Sequence, residues 1–357
     1  MRNQTSAARQ LSTNEFAAPV PTPVSRAMEL VPEPSPGPGE HAGPNAARHA
    51  DPAETITDNI RWPGAAPVLS VLLPFFRNDP RALLRVLDQE KVNAEIILVD
   101  DGSADPELAR AVAFTVRGMQ LPARFIHLDH NEGRARGRNR LATHARASTF
   151  LFLDSDMLPD GPCFLRTYVR LISLKNPPVA FGGFSIQQVP RNPEMNLHRY
   201  MAQSSDCAPA EVRRKFPEKH VFTSNLLVRR DVFESEAFNE NFRGWGWEDV
   251  EWAMRVARRY PLMHLDNPAT HLGLDKPHDL AAKYEQSTEN FSLMLNLHPD
   301  TVARYGSYRA ARMLKRVPLR SVWSPACKAV ALTELAPLPA RALAMRLYRS
   351  SLYADAV

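Results

Sequence analysis

An α/β fold with a mostly parallel central sheet is predicted by three observations. Four short apolar runs, VLSVLLP, AEIILVD, RFIHLD and TFLFLD, have the length of buried strands. Each is followed by a turn and a segment of helical periodicity, the rhythm of βαβ units. The last three runs end on Asp100, Asp129 and Asp154, and in a sheet of this kind ligands gather at the carboxyl ends of strands. At 357 residues the chain is one large α/β unit with flexible ends, or two domains.

Taken in order, residues 1–66 are rich in proline, with PVPTPV and VPEPSPGPGEHAGP, and are expected to be disordered because they offer too little apolar surface to offset ordering. The first strand spans Val68 to Pro74. Asp79 then supplies an N-cap and Pro80 a first helical residue, with Leu83, Leu84 and Leu87 on one face. The second strand, Ala94 to Asp100, leads through DGSADP to a helix begun by Asp105 and Pro106. The third runs from Arg124 to Asp129, the helix RARGRNRLATHARA follows, and the fourth covers Thr149 to Asp154. After Phe181 the rhythm loosens into FGGFSIQQVP and HVFTSNLLVRRDVF, which predict a smaller mixed-sheet half. The folded chain thus divides into 67–180, 181–300 and a helical tail, 301–357. Within Thr301 to Thr333 there are seven Lys or Arg residues and no Asp or Glu, interspersed with Tyr305, Tyr308, Met313, Leu314, Val317, Leu319 and Trp323. That pattern predicts an interfacial surface, basic on one side and apolar on the other.

Composition narrows the function classes. The net charge of +5 is modest and the tail's cations are mixed with apolar residues, which favours a membrane or lipid-linked partner over nucleic acid. Cys163, Cys207 and Cys327 are too few and too scattered for a disulfide framework or a zinc site, so a reducing compartment is expected. A signal peptide and an apolar run of spanning length are both missing from the pattern, which predicts neither a secreted nor a membrane-spanning protein.

Two acidic segments carry the chemistry. FLFLDSD places Asp154 and Asp156 two apart just beyond a buried strand, where both carboxylates can turn toward one ion; oxygen ligands favour Mg²⁺ or Mn²⁺, which also bridge diphosphate oxygens. The alternative is a solvated turn. No GxGxxG or GxxxxGK[ST] loop follows any strand, which counts against dinucleotide oxidoreductases and P-loop enzymes. Arg134 and Arg138, four apart in NEGRARGRN, are suited to a diphosphate, or else form a solvated basic face. Asp100 and Asp101 can accept from a base or ribose, or cap the DG turn. In GWGWEDVEW, Gly244 and Gly246 allow unusual backbone angles, Trp245 and Trp247 offer flat faces for a sugar ring, and Glu248 and Asp249 open a helix. One acid there is explained by the helix dipole; the whole cluster is better explained by a general base beside a sugar. His271, in NPATHLGLD, either joins the two aspartates or is structural.

At SVLLPFF, EIILVDDGSADP, NEGRARGRN and FLFLDSD the chain resembles the nucleotide-diphospho-sugar glycosyltransferases of the GT-A fold, family 2. TSNLLVRRDVF and FRGWGWEDVEWAMR resemble the part shared by bacterial chondroitin-type polymerases and animal galactosyl- and N-acetylgalactosaminyltransferases. The resemblance covers Val68 to Leu274. It implies a Rossmann-like GT-A domain with a nucleotide-sugar half at 67–180 and an acceptor-binding and catalytic half at 181–300. On the donor side it implies Pro74, Asp100, Asp101, Arg134, Arg138, Asp154, Ser155 and Asn225. Asp154, Asp156 and His271 would hold Mn²⁺ or Mg²⁺, and Trp245, Gly246 and Trp247 would meet sugar or acceptor. Asp249 would be the base, with Glu248 on substrate hydroxyls, for inverting transfer of a hexose, N-acetylhexosamine or uronic acid from a UDP-sugar to a glycan, lipid-linked glycan or glycolipid. A bacterial protein on the cytoplasmic face of the inner membrane is implied. A retaining transferase, a nucleotidyltransferase acting on sugar phosphates and an inactive binding module are the alternatives. Two residues depart from the family pattern: Arg77 stands where Asn is common and Arg140 where Gly is usual.

Overall fold

The computed structural model describes residues 51–357. Strands β1 (Glu54–Asp58) and β2 (Leu69–Phe75) precede helix α1 (Arg81–Asp88), β3 (Ala94–Asp100) and α2 (Pro106–Gly118). Then come β4 (Ala123–Leu128), α3 (Arg134–His144), β5 (Thr149–Leu153), β6 (Met157–Pro159) and α4 (Phe164–Lys175). The second half holds β7 (Val179–Phe181), β8 (Phe184–Ser185), α5 (Asn196–Ser205), α6 (Ala210–Arg213), β9 (Asn225–Arg229), α7 (Arg230–Ser235), α8 (Glu248–Val256), β10 (Leu262–His264) and β11 (Ala269–His271). Helices α9 (Pro277–Leu297), α10 (Pro299–Val302), α11 (Gly306–Leu314), α12 (Arg320–Leu332) and α13 (Leu338–Tyr353) complete the chain.

Eight strands form one sheet in the order β1-β4-β3-β2-β5-β9-β7-β10. It is parallel from β4 to β5 and turns antiparallel at β9. The second sheet, β6-β11-β8, is small. β3 and β5 are buried at every residue, which is why they read as unbroken apolar runs. Alternate residues feed two cores. Leu69, Val71 and Leu73 meet α1, α2 and α4 on one face, while Leu72, Ile97 and Val99 share a cluster with Ala135 and Leu141 of α3 and Trp252 of α8 on the other. Asp105 caps α2 as expected, accepting from the amides of Glu107 and Leu108. α1 starts one residue later than expected, at Arg81, whose amide donates to Asp79.

Disorder through residue 66 does not hold for the described part of that segment; residues 1–50 lie outside the described residues. β1 pairs antiparallel with β4, Asn59 is buried and donates to the carbonyls of Met119 and Leu121, and Trp62 lies between the guanidiniums of Arg124 and Arg146. Order comes from these contacts with distant residues, which local composition does not register. Arg140 explains one departure from the family pattern, because it ties β1 to α3 through Glu54 at 2.5 Å and Glu132 at 2.6 Å. Arg77 has φ of 60°, a left-handed angle that Asn adopts more readily.

The C-terminal region is helical. Met345 and Tyr348 of α13 pack with Leu280 and Tyr284 of α9 and with Leu197 and Met201 of α5, so the tail is built onto the second half of the sheet domain. Among the described residues no helix is long and apolar enough to cross a membrane.

Candidate active site

The parallel strands deliver their ends to one edge, and there the expected donor-side residues divide by task. Asp100 is fully buried; its carboxylate accepts from the Ser103 amide at 3.0 Å and from the Ser103 hydroxyl, and lies 3.0 Å from His127 Nδ1. Its side chain therefore caps the turn. Asp101 accepts from the amides of Glu132 at 2.7 Å and Gly133 at 3.1 Å and from Asn131 Nδ2 at 2.9 Å, which fixes the loop entering α3. Burial pushes its carboxyl up, against the pull of those amides. Gly102 is required here: φ is +68°, and a Cβ would come within 2.3 Å of the His130 carbonyl carbon. Pro74 is half-buried within β2, and the Ser155 hydroxyl accepts from Asn78 Nδ2 at 2.6 Å.

The two acidic segments meet through α3. Arg134 Nε donates to Glu248 Oε1 at 2.6 Å, and one turn later Arg138 donates to Asp154 Oδ1 at 2.5 Å. Arg138 also donates to the Arg134 carbonyl at 3.2 Å, which closes a chain from Asp154 to Glu248. Burial opposes the charges of Arg134 and Glu248, but mutual attraction outweighs it: the guanidinium is shifted up and the Glu248 carboxyl down. Beside them the Asp249 carboxylate accepts, among the described residues, from the Val250 amide alone, at 2.8 Å. Burial, then the Glu248 charge, push Asp249 up to about 7 despite Arg134. Two adjacent carboxylates are thus separated in role, one held ionised and one poised near neutrality.

The expected metal trio is only partly gathered. His271 Nε2 lies 3.2 Å from Asp156 Oδ2, and Gly273 leaves the room beside them, since a Cβ there would meet Asp156 Oδ2 at 2.3 Å. Burial works against both charges, and their pairing outweighs it, lowering the Asp156 carboxyl and raising the imidazole. Asp154 is engaged by Arg138 instead. Among the described residues no three His, Cys, Asp or Glu side chains are drawn close enough to hold a metal ion. Asp156 and His271, with the remaining oxygen of Asp154, nevertheless make an oxygen-and-imidazole donor set that fits Mn²⁺ or Mg²⁺ in kind.

The glycine loop is clamped from outside the sheet. Gly244, Gly246 and Trp247 have φ of +69°, +93° and +76°. Asn290 of α9, buried, donates to the carbonyls of Arg243 and Gly246 at 2.8 Å each and accepts from the Arg243 amide. Trp247 is held by its neighbours: its ring packs on Phe291 and Tyr353, and its Nε1 donates to Tyr353 Oη at 3.2 Å. Trp245 is half-buried beside Tyr284, with ring centres 6.0 Å apart. Asn225 likewise differs from its expected donor role. It is fully buried, accepts from Tyr168 Oη at 2.6 Å and donates to the carbonyls of Gly183 and Asn267, so its amide is used in joining β7, β9 and the β10–β11 turn.

Asn290 and Tyr284 went unread in the sequence. They lie in a mixed helix without a motif, and only the docking of α9 brings them to the loop. Two hollows open in the second half of the chain, and none of the site acids lines either. One, about 270 Å³, is lined by Phe184, Gln187, Gln203, Cys207 and Arg213, and Phe184 packs 5.2 Å from the His271 ring. The other, about 420 Å³, is lined by Arg191, Asn196, Arg199 and Gln203.

Residues 70–236 match the family model described as Glycosyl transferase family 2. Two validoxylamine A glucosyltransferases of Streptomyces hygroscopicus, from subsp. limoneus and subsp. jinggangensis (strain 5008), are each 27% identical over 270 residues, 66% of this chain. The match spans 57% and 61% of those relatives' own lengths. The mannosyltransferase PcManGT from Pyrobaculum calidifontis, solved in complex with GDP-Man and Mn²⁺, aligns with a TM-score of 0.51 at 16% identity, over 84% of this chain and 90% of that one. That likeness is one of fold, and the fold is GT-A.

Proposed function

From a glycosyl transferase family 2 domain over residues 70–236, we propose that this chain transfers a hexose, N-acetylhexosamine or uronic acid from a UDP-sugar to a hydroxyl of a glycan, lipid-linked glycan or glycolipid, with inversion. The observation that carries the reading is the Asp154–Arg138–Arg134–Glu248 chain with Asp249 beside it at a pKa of about 7. It joins a strand-end site suited to a diphosphate to an acid suited to proton abstraction.

In this mechanism Asp249 accepts the proton of the acceptor hydroxyl as that oxygen attacks C1 of the donor sugar. The bond from C1 to the diphosphate oxygen breaks, and the electron pair leaves with UDP. Glu248, held ionised by Arg134, would orient hydroxyls, and Arg134 and Arg138 would offset the charge that develops on the diphosphate. Mn²⁺ or Mg²⁺, when held by Asp154, Asp156 and His271, supplies positive charge against the departing diphosphate. The acceptor would approach past Trp245, with the hollow beside Phe184 to receive it.

A nucleotide-release screen over UDP- and GDP-sugars, with and without Mn²⁺, tests the reading. Slow UDP release from one UDP-sugar, dependent on the cation, is expected; a flat response across all donors would defeat it, and a product anomer matching the donor's would defeat inversion. The basic and apolar surface of α11 and α12 supports peripheral attachment to an anionic membrane, on the cytoplasmic side.

A further inference from the structure

Arg213 of α6 is a buried cation that takes no part in the steps above. It is 1% exposed, yet its one hydrogen bond among the described residues runs from Nη2 to the Leu265 carbonyl, at 2.7 Å. A guanidinium has five N–H donors. Here Nε is enclosed without a partner, and the face of the group lies over the Phe181 ring, 5.0 Å from its centre, a contact that uses no donor. Asp266 stands at 3.7 Å, beyond hydrogen-bond length; its side chain is 67% exposed, and it accepts from the Ala210 amide at 2.8 Å instead. Burial holds the Arg213 guanidinium below its ordinary pKa, and the Asp266 charge does not make up the difference. Buried charges are ordinarily paired and hydrogen-bonded, so this one lacks a counter-ion.

Open space lies where a counter-ion would sit. Arg213 and Gly183 both line the 270 Å³ hollow, and a Cβ at Gly183 would meet Arg213 Nη1 at 2.6 Å, so the bare glycine leaves that nitrogen uncovered. Gln187 and Gln203, both exposed, line the same hollow and bring amide donors. Gln203 also borders the 420 Å³ hollow, whose lining adds Arg191 and Arg199 and no acid; Arg199 Nε is likewise enclosed without a partner. Phe184, in the lining of the first hollow, packs 5.2 Å from the His271 ring, which sets the hollow one side chain from the Asp156–His271 pair. We propose that the hollow is an anion subsite of the acceptor, in which a carboxylate or phosphate group seats against Arg213 Nη1 with Gln187 and Gln203 as further donors. The anion site stands on this geometry; its assignment to the acceptor rests on the glycosyl-transfer reading.

Ligand-observed NMR titrations of the full chain, with and without UDP, test it with methyl β-glucuronide and glycerol 3-phosphate against methyl β-glucoside and glycerol. The wild type should bind one anionic probe about tenfold more tightly than its neutral counterpart, the size of one charge-assisted contact. The probe showing the margin distinguishes carboxylate from phosphate. Arg213→Gln should erase the margin, with a melting curve checking that the variant folds. Gln203→Glu, at an exposed position, should cut it several-fold by setting a competing carboxylate in the hollow, and it decides alone if Arg213→Gln does not fold. Equal binding of charged and neutral probes by the wild type overturns the proposal, as does a margin that survives Gln203→Glu or a folded Arg213→Gln. UDP affinity is titrated separately: an anion margin without UDP binding sinks the acceptor assignment together with the transferase reading, whereas intact UDP binding without a margin sinks the subsite alone.

Discussion

In the proposed mechanism Asp249 sets the pH behaviour. With its carboxyl at about 7, the base is increasingly ionised as pH rises through 7, so transfer rate should climb between pH 6 and 8 and fall off on the acid side. Asp249→Asn should lower turnover by roughly 10²- to 10⁴-fold while UDP titrates as before. The same shift has a stability sign. A carboxyl whose folded pKa is raised favours folding below its unfolded value near 4, and that advantage is lost as pH rises through 7. Asp249→Asn should therefore raise the melting temperature at pH 8 relative to wild type, with little change at pH 4, read by calorimetry. Arg134 and Glu248 follow the opposite logic. Removing either leaves the other charge in a protein-lined cleft, and Arg134→Met should cost about 2 kcal/mol in urea unfolding, less than a fully buried pair because Arg134 is partly exposed. The double variant Arg134→Met with Glu248→Met should cost less than the sum of the two singles.

At the scale of elements, what could be read in the sequence was what burial alone dictates. β3 runs from Ala94 to Asp100 as expected because both of its faces are covered, and α2 begins at its Asp-Pro cap because the capping bonds are local. β1 was missed because its order depends on an edge formed by β4 and on Arg140, far along the chain. The acids and arginines of the site were visible as types and spacings, but the partners of each were not: Arg138 meets Asp154 only because α3 packs across β2 and β3, next to which β5 ends. Asn225 and Trp247 sit in motif-like segments, and the hydrogen bonds they make inside the fold were not legible there, since those are settled by tertiary neighbours. Asn225→Ala would strand the Tyr168 hydroxyl and two carbonyls and should cost about 2–4 kcal/mol, seen as a lower denaturant midpoint. Gly273→Ala should force Asp156 aside and weaken Mn²⁺ binding in a metal titration, with UDP binding in the absence of metal as the control.

For the molecule as a whole, the C-terminal helices serve two surfaces. Outward, Met313, Leu319, Val322 and Leu335 are exposed, Leu335 at 96%, among the tail's lysines and arginines. Co-sedimentation with phosphatidylglycerol vesicles should exceed that with phosphatidylcholine and weaken in high salt, and Leu319→Glu with Val322→Glu should reduce it several-fold; equal partition of that variant and wild type would remove the membrane assignment. Inward, Tyr353 of α13 accepts from Trp247 and shares a hydrogen bond with Ser287 of α9 at 2.7 Å, so the catalytic loop leans on a residue near the far end of the described chain. During synthesis the strands from β2 through β5 emerge before α9 and α13, which hold that loop. In the proposed mechanism the loop carrying the base would become firm only once α13 has docked, later in synthesis than the strand ends that would meet the donor.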